Sequence, residues 1–404
     1  MLKTLIEKSG YSFQLTESLG EFYKEWDSIQ PSSLLLNSDY LLAIEKFRPG
    51  NIHFKYALVY DTQGLAAAFY FQLLPFNAAQ RLKLLDKPKK SLSKCFYDHV
   101  KRLVASQVDF VTLVNGNLMA TGPYGFKYRQ NLDLLDIQQM LDQLLKALFD
   151  EPELIHRASV CLIKELPIKH SFTSSPELPL NFMHPFLVQP SMWIQVRPDW
   201  VNFDHYLNDL QSKYRLRLRK AMEASASLIH REMEFSEVQE HEQKIFELYK
   251  KTADQSDFNL VDLHPNYFSG LKSMLGNKFR VFGFFKDGEL VAFYTFLDDG
   301  NDLVGHFLGA STDINTKYQL YLNMLIHYIR HGIHGRFQRI LLARTAIEIK
   351  SSVGAEPEEM MCFIAHRNKL YNRWVPNLLE FLKPRKPYIL RTPFKEFVTA
   401  ADSR

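Results

Sequence analysis

Two groups of cations in this sequence could do chemistry, and each sits in a pattern that allows a second reading. The first is the run Arg344-Thr345-Ala346-Ile347-Glu348-Ile349-Lys350, directly after the apolar stretch Arg339–Ala343. A guanidinium where a buried-type strand ends is often held in a pocket. There it can grip a phosphate or carboxylate through two parallel N–H bonds. Arg344 can equally pair with Glu348, four residues on, and Lys350 can be an exposed helix lysine. The second group is Lys213, Arg215, Arg217, Arg219 and Lys220. On a helix, Lys213/Arg217 and Arg215/Arg219 fall at i, i+4 and repel unless an anion lies between them. Such an anion would be a nucleotide, coenzyme A, tRNA or a lipid-linked pyrophosphate; otherwise the run is a solvated helix face.

Histidines offer the other candidates. His306 lies in an apolar strand and can serve as a general base near its ordinary pKa of about 6.5, or as a hydrogen-bonded core residue. His327, His331 and His334 recur at helical spacing without a local cysteine or carboxylate, so a cationic helix end is expected rather than a metal site. No Cys-x-x-Cys or His-Glu-x-x-His pattern occurs, and no metal is expected.

The chain that positions these groups has 404 residues, 46% hydrophobic and 23% charged, with a net charge of +4. At roughly 100–200 residues per domain, two domains are expected. The balance excludes a disordered chain and a membrane bundle, and so small a surplus of charge does not mark a nucleic-acid protein. Three distant cysteines, Cys95, Cys161 and Cys362, fit a reducing compartment. The charged start Met1–Gly10 does not read as a signal peptide. The longest apolar run, Leu65–Phe76, falls short of the ~20 residues that span a bilayer. A cytoplasmic protein without an integral membrane segment is the expectation.

Periodicity predicts a mixed α/β chain in which each half runs helix, helix, antiparallel strands, helix, strand. The first half has a strand pair at Tyr56–Tyr60 and Leu65–Leu74 and an amphipathic helix over Asp136–Phe149. His170–Pro179 is the expected linker, giving domains 1–185 and 186–404. The second half has the basic helix and the hairpin Phe279–Phe285/Glu289–Leu297. After these come a strand over Asp302–Leu308, the striped helix Lys317–Arg330 and a strand over Arg339–Ala343. Neither G-x-G-x-x-G nor G-x-x-x-x-G-K-[ST] occurs, which removes the usual dinucleotide and triphosphate cradles.

From about Met192 to Pro376 the order of these motifs resembles the GNAT-type acyltransferases of the Fem-like group, in which two GNAT units stand in tandem. The resemblance rests on the basic helix Lys213–Ala221, the hairpin around Asp287-Gly288-Glu289-Leu290 and His306-Phe307-Leu308-Gly309-Ala310. It continues through the helix ending at Gly332 and the segment Arg344–Ser351 with Gly354-Ala355. It implies an α/β fold of two tandem GNAT-like domains, the first structural and the second catalytic. The implied activity moves an acyl or aminoacyl group from an acyl-CoA or aminoacyl-tRNA co-substrate to the amine of a small molecule or of a cell-envelope precursor. No bound cofactor is implied, and tRNA becomes a possible partner.

By the same resemblance Lys350 matches the lysine that faces the oxyanion of acyl transfer, a contribution of about 3–4 kcal/mol; His306 and Glu348 become candidate bases. Arg344, Lys213, Arg215, Arg217, Arg219, Tyr294, Tyr318, Gly309 and Asn315 become substrate or cofactor contacts, although Tyr318 and Tyr321 also fall on an apolar stripe. The Gln/Arg-x-x-Gly-x-Gly/Ala loop that holds coenzyme A is not recognisable; Asp313-Ile314-Asn315-Thr316 stands there, which favours the Fem-like branch over acetyl-CoA use. The rival expectation is a non-catalytic module that keeps the fold and binds an anionic cell-envelope precursor. The first half is expected to supply a wall, through Lys87–Lys90 or Tyr124-Gly125-Phe126-Lys127.

Overall fold

The computed structural model describes residues 4–8, 10–30, 33–50, 52–77, 109–170, 172, 180–255, 261–382 and 388–395. Lys87–Lys90 and nearly all of the expected linker His170–Pro179 lie outside the described residues. In chain order the strands and helices are β1 (Thr4–Lys8), β2 (Tyr11–Thr16), α1 (Tyr23–Ser28), α2 (Ser38–Lys46), β3 (His53–Asp61), β4 (Gly64–Asn77), β5 (Asp109–Asn115), β6 (Phe126–Tyr128), α3 (Leu134–Asp150), β7 (Val160–Pro167) and β8 (His184–Leu187). They continue with β9 (Ser191–Gln195), α4 (Phe203–Asp209), α5 (Ser212–Ala224), β10 (Ile229–Glu232), α6 (Phe235–Glu240), α7 (Glu242–Ala253), α8 (Tyr267–Leu275), β11 (Phe279–Lys286), β12 (Glu289–Asp299) and β13 (Asp302–Ala310). The last are α9 (Thr312–Tyr318), α10 (Leu320–His334), β14 (Arg339–Leu341), α11 (Ile347–Ser351), β15 (Glu356–Glu358), β16 (Met360–His366), α12 (Lys369–Asn372) and α13 (Val375–Leu382).

These elements form two compact units. The first holds Met1–Val188, Asp254–Tyr267 and Met360–Lys383, and the second Gln189–Ala253, Phe268–Glu359 and Pro384–Arg404. The sequence reading kept 186–404 together, but two of its segments pack with the first unit. For Met360–Lys383 the cause is β16, whose backbone pairs with both β7 and β8. Local periodicity reports that a strand is present, not which sheet receives it.

The first unit's sheet runs β1-β2-β3-β4-β5-β7-β16-β8, with β6 on β4. Among the described residues its one parallel pair, β5 with β7, is joined through α3. Asp133 caps α3 by accepting from the Leu135 and Asp136 N–H groups, while Asp136 accepts from the Asp133 N–H, a reciprocal cap that fixes the helix start. Ile137, Met140, Leu141, Leu144, Leu145 and Leu148 are buried as their spacing requires. The Tyr124–Lys127 segment is largely buried in this unit. Lys127 has its Nζ 3.6 Å from Asp27 and 4.9 Å from the Trp26 ring centre, and burial lowers its pKa to about 8.

The second unit's sheet runs β10-β11-β12-β13-β14-β9-β15. The β11–β12 hairpin turns at Asp287 and Gly288, with φ of 50° and 85°, the left-handed pair that an Asp-Gly turn supplies. β12 faces two layers. Ala292, Tyr294 and Phe296 join the core with α10, and Phe293 packs edge-on against Phe268 of α8, 5.1 Å between centres. β13 and β14 are parallel over only three residues, Asp302–Val304 against Arg339–Leu341. Beyond that point β14 stays with β9, because Met192 exchanges backbone bonds with Leu342 and Ala343. The two parallel strands therefore part after Val304 and Leu341. At the parting, a bulge between β12 and β13 is closed by the Thr295 hydroxyl, which accepts from the Phe307 N–H and donates to the Phe307 carbonyl, both at 3.0 Å.

Candidate active site

β14 delivers the chain to a loop that no apolar periodicity would forecast. Ala343, Thr345 and Ala346 have φ of 58°, 68° and 48°, left-handed values that cost non-glycine residues of the order of 1–3 kcal/mol each. Lys350, one turn along α11, offsets that strain. Its ammonium donates to the Arg344 carbonyl at 2.7 Å and the Ala343 carbonyl at 3.3 Å. The residue is only 4% exposed, so Lys350 is not a surface helix lysine. Desolvation pulls its pKa down to about 7, which puts proton exchange on this nitrogen near neutrality.

Three further segments converge on α11. From α5, Arg217 donates to the Ser352 hydroxyl at 3.1 Å. From α4, the Tyr206 hydroxyl donates to the Val353 carbonyl at 2.9 Å. From the C-terminal segment 388–395, the Arg391 N–H donates to the Ser351 hydroxyl at 3.0 Å, and its guanidinium pairs with Glu348 at 2.5 Å. Glu348 thus takes Arg391, not Arg344, as its ion-pair partner. Arg344 is half-buried, and its carbonyl is fixed by Lys350. The C-terminal segment is itself seated in the second unit. Gln211 bonds the Thr392 and Phe394 carbonyls at 3.0 Å, and Phe394 packs on Trp200 and Tyr206. A Cβ on Gly354, at φ 94°, would lie 2.4 Å from the Phe394 ring. Nothing local in the sequence marks Arg391 or Phe394 as neighbours of α11.

The other basic residues of α5 divide among partners. Arg215 donates to the Leu210 carbonyl at 3.4 Å, Lys213 lies over the Tyr214 ring at 4.9 Å, and Arg219 is exposed. The helix thus reaches α11 through Arg217.

The remaining candidates are placed by packing. His306, on β13 past the parting, lies edge-on to Phe279 and Phe307; desolvation pushes its pKa down to about 3, so it is a neutral imidazole. Tyr294 is fully buried, with its hydroxyl 3.0 Å from both His230 Nε2 and His331 Nε2. His327 stacks on His230 at 3.6 Å. Burial first, then neighbouring cations, lowers His230, His327 and His331 to about 4, 2 and 3. This overturns the expected cationic helix end at His327 and His331. His331 turns to the Tyr294 hydroxyl and the Phe282 ring, and His327 to His230 and the Phe284 ring, where a charge would be desolvated. Among the described residues no cluster of histidine, cysteine or carboxylate groups is arranged to hold a metal ion.

Gly309 is needed for close approach: a Cβ there would stand 2.5 Å from the Leu248 backbone of α7. Asn315 accepts from the Tyr321 N–H at 2.8 Å, satisfying a donor at the uncapped start of α10. Tyr318 is buried at the α9–α10 elbow, where Asn323 bonds its carbonyl and that of Ala221 in α5. The elbow is thereby pinned to the helix that carries Arg217.

Comparison with known proteins adds a family to this geometry. Residues 182–335 match the FemAB-like family model, described as peptidoglycan biosynthesis/recognition. No curated protein matches the chain in sequence. Among solved structures, the chain superposes loosely on the C-terminal domain of a putative lysylphosphatidylglycerol synthetase from Agrobacterium fabrum, at TM-score 0.48 and 11% identity over 89% of this chain and 96% of that one. It superposes likewise on FemX, at TM-score 0.47 and 11% identity over 91% and 99%. A tandem GNAT protein from the clavulanic acid pathway gives TM-score 0.43 and 11% identity over 82% and 88%. Scores this low carry no argument about substrate. Residues 182–335, less than half of the chain, are thus similar to the FemAB-like family.

Proposed function

We propose that the second unit transfers an acyl or aminoacyl group to the amine of an anionic cell-envelope precursor, with Lys350 facing the oxygen that becomes negative. The observation that carries this reading is a buried lysine with its pKa near 7, held by two carbonyls where the parallel strands part. Two of its ammonium protons are taken by the loop, which leaves the third for a ligand. A donor fixed in advance and screened from water stabilises a tetrahedral oxyanion without reorganising during the step. In that step the amine forms a bond to the carbonyl carbon, and the oxygen takes the negative charge. Collapse then expels the thiolate of coenzyme A or the ribose oxygen of tRNA, with the amine's proton passing to the leaving group or solvent. Arg217, which reaches Ser352 from α5, and Arg344, just before α11 in sequence, supply cations for the phosphates that either donor carries. The Fem-like family supports an aminoacyl-tRNA donor, and the absent coenzyme A loop motif favours it over acyl-CoA.

The test is transfer of a radiolabelled aminoacyl group from charged tRNA, and separately of an acyl group from its coenzyme A thioester, by the wild type and by Lys350→Ala. A loss of about 10²–10³ in turnover is expected with the true donor. Unchanged turnover in the variant would remove Lys350 from the reaction. Stabilisation by polyanions with no transfer from either donor would favour a binding module instead.

A further inference from the structure

The outer side of α12 and α13 carries an apolar row that the transferase reading leaves unused. Leu370, Tyr371, Trp374 and Leu378 are 76%, 64%, 68% and 56% exposed. Leu370, Trp374 and Leu378 recur every fourth residue, so on a helical segment they stack as one stripe, with Tyr371 beside it. The segment cannot roll to bury them, because its inner side is fastened. The Asn372 side chain donates to the Phe182 carbonyl at 2.7 Å and accepts from the His366 N–H at 2.8 Å. Its carbonyl meets His184 Nε2 at 3.0 Å. Arg367, Lys369 and Arg373 are exposed in the same segment, against one exposed acid, Glu380, among its described residues.

We infer that this stripe docks the protein on the surface of a bilayer carrying anionic headgroups. Tryptophan and tyrosine favour the headgroup boundary, and leucines reach the acyl region below it. Cations in the same short segment complement negative lipid, each being worth about fivefold in partition. A second copy is a poorer occupant, because a two-fold contact would bring the same three cations against their counterparts. No helix among the described residues is long and apolar enough to cross a membrane, so the contact is one of lying on the surface. The inference stands apart from the chemistry of Lys350.

Binding of the full chain to vesicles of phosphatidylcholine, with and without phosphatidylglycerol, tests it. Trp26 and Trp200 are buried and Trp193 is half-buried in β9, while Trp374 is exposed, so insertion of Trp374 shifts the tryptophan emission to shorter wavelength. Trp374→Phe should abolish that shift yet still sediment with the anionic vesicles. Trp374→Ser with Leu378→Ser should lower partition at least about tenfold. Lys369→Glu with Arg373→Glu should lower it about thirtyfold on anionic vesicles. Far-UV circular dichroism and transfer in free solution should match the wild type in every variant, which separates lost docking from lost folding or chemistry. Failure of the wild type to sediment with anionic vesicles would overturn the inference. So would sedimentation undiminished in the serine variant, or self-association that this variant abolishes.

Discussion

Lys350→Met replaces a buried ammonium by an apolar chain of similar length, and its effect on stability should depend on pH in a way the structure fixes. The folded pKa is lowered from 10.5 to about 7 by burial. Above about pH 10.5 the amine is neutral in both states. Between there and about 7 the unfolded chain holds a proton that the folded chain releases, so stability falls as pH falls. Below about 7 both states are charged and the penalty no longer changes. The slope is about 1.4 kcal/mol per pH unit, with a ceiling of about 5 kcal/mol over the window. Urea unfolding at several pH values between about 7 and 10, on the wild type and the variant together, isolates this contribution, because other groups titrate alike in both. The wild type minus variant difference should rise with pH. Near neutrality the variant gives up two hydrogen bonds to carbonyls and leaves those carbonyls short of a donor, a cost of about 1–3 kcal/mol. A difference that stays flat with pH would show that Lys350 is solvated, and the argument for a screened donor at the strand parting would fail with it.

Two other predictions rest on packing. Gly309→Ala places a methyl group 2.5 Å from the Leu248 backbone, so α7 must shift off β13; a loss of about 1–3 kcal/mol in chemical denaturation is expected. Tyr294→Phe removes the hydroxyl shared by His230 and His331 and should cost about 1–3 kcal/mol near pH 7. The three inward histidines have folded pKa values of about 4, 2 and 3 against 6.5 when free. Their contribution is therefore complete above about pH 6.5 and is lost as pH falls through about 4, and His327→Phe should make the acid limb of a stability–pH curve shallower.

Elements whose signal is local were legible in the sequence. The Asp287-Gly288 hairpin and the α3 stripe lie where turn chemistry and periodicity put them, because each depends on residues a few positions apart; the expected helix Lys317–Arg330 is instead broken at left-handed Gln319, and α10 runs from Leu320 past Gly332 to His334. What depends on distant partners was not legible. Lys350 could not be told from a surface lysine, since the two carbonyls that hold it belong to a left-handed loop whose course the sequence does not show. Glu348 had a plausible partner at i−4, yet Arg391 takes it from 43 residues away. Tyr294 looked like a substrate contact because a tyrosine in an apolar strand gives no hint of the two imidazoles that occupy its hydroxyl. The histidines at 327 and 331 resembled a helix-end charge because the sequence shows their spacing and not the direction they face.

The membership of β16 in the first sheet bears on how this protein is made. Its residues, Met360–His366, are translated after nearly the whole second unit, yet they fill the place between β7 and β8. While the ribosome is still working through those intervening residues, β7 and β8 both lack the neighbour that joins them, and each offers unpaired backbone to any passing strand. The N-terminal body must therefore wait for the late arrival of its missing strand, and a gene cut after Val188 would yield a product with those edges permanently open, prone to clumping rather than to behaving as an independent module.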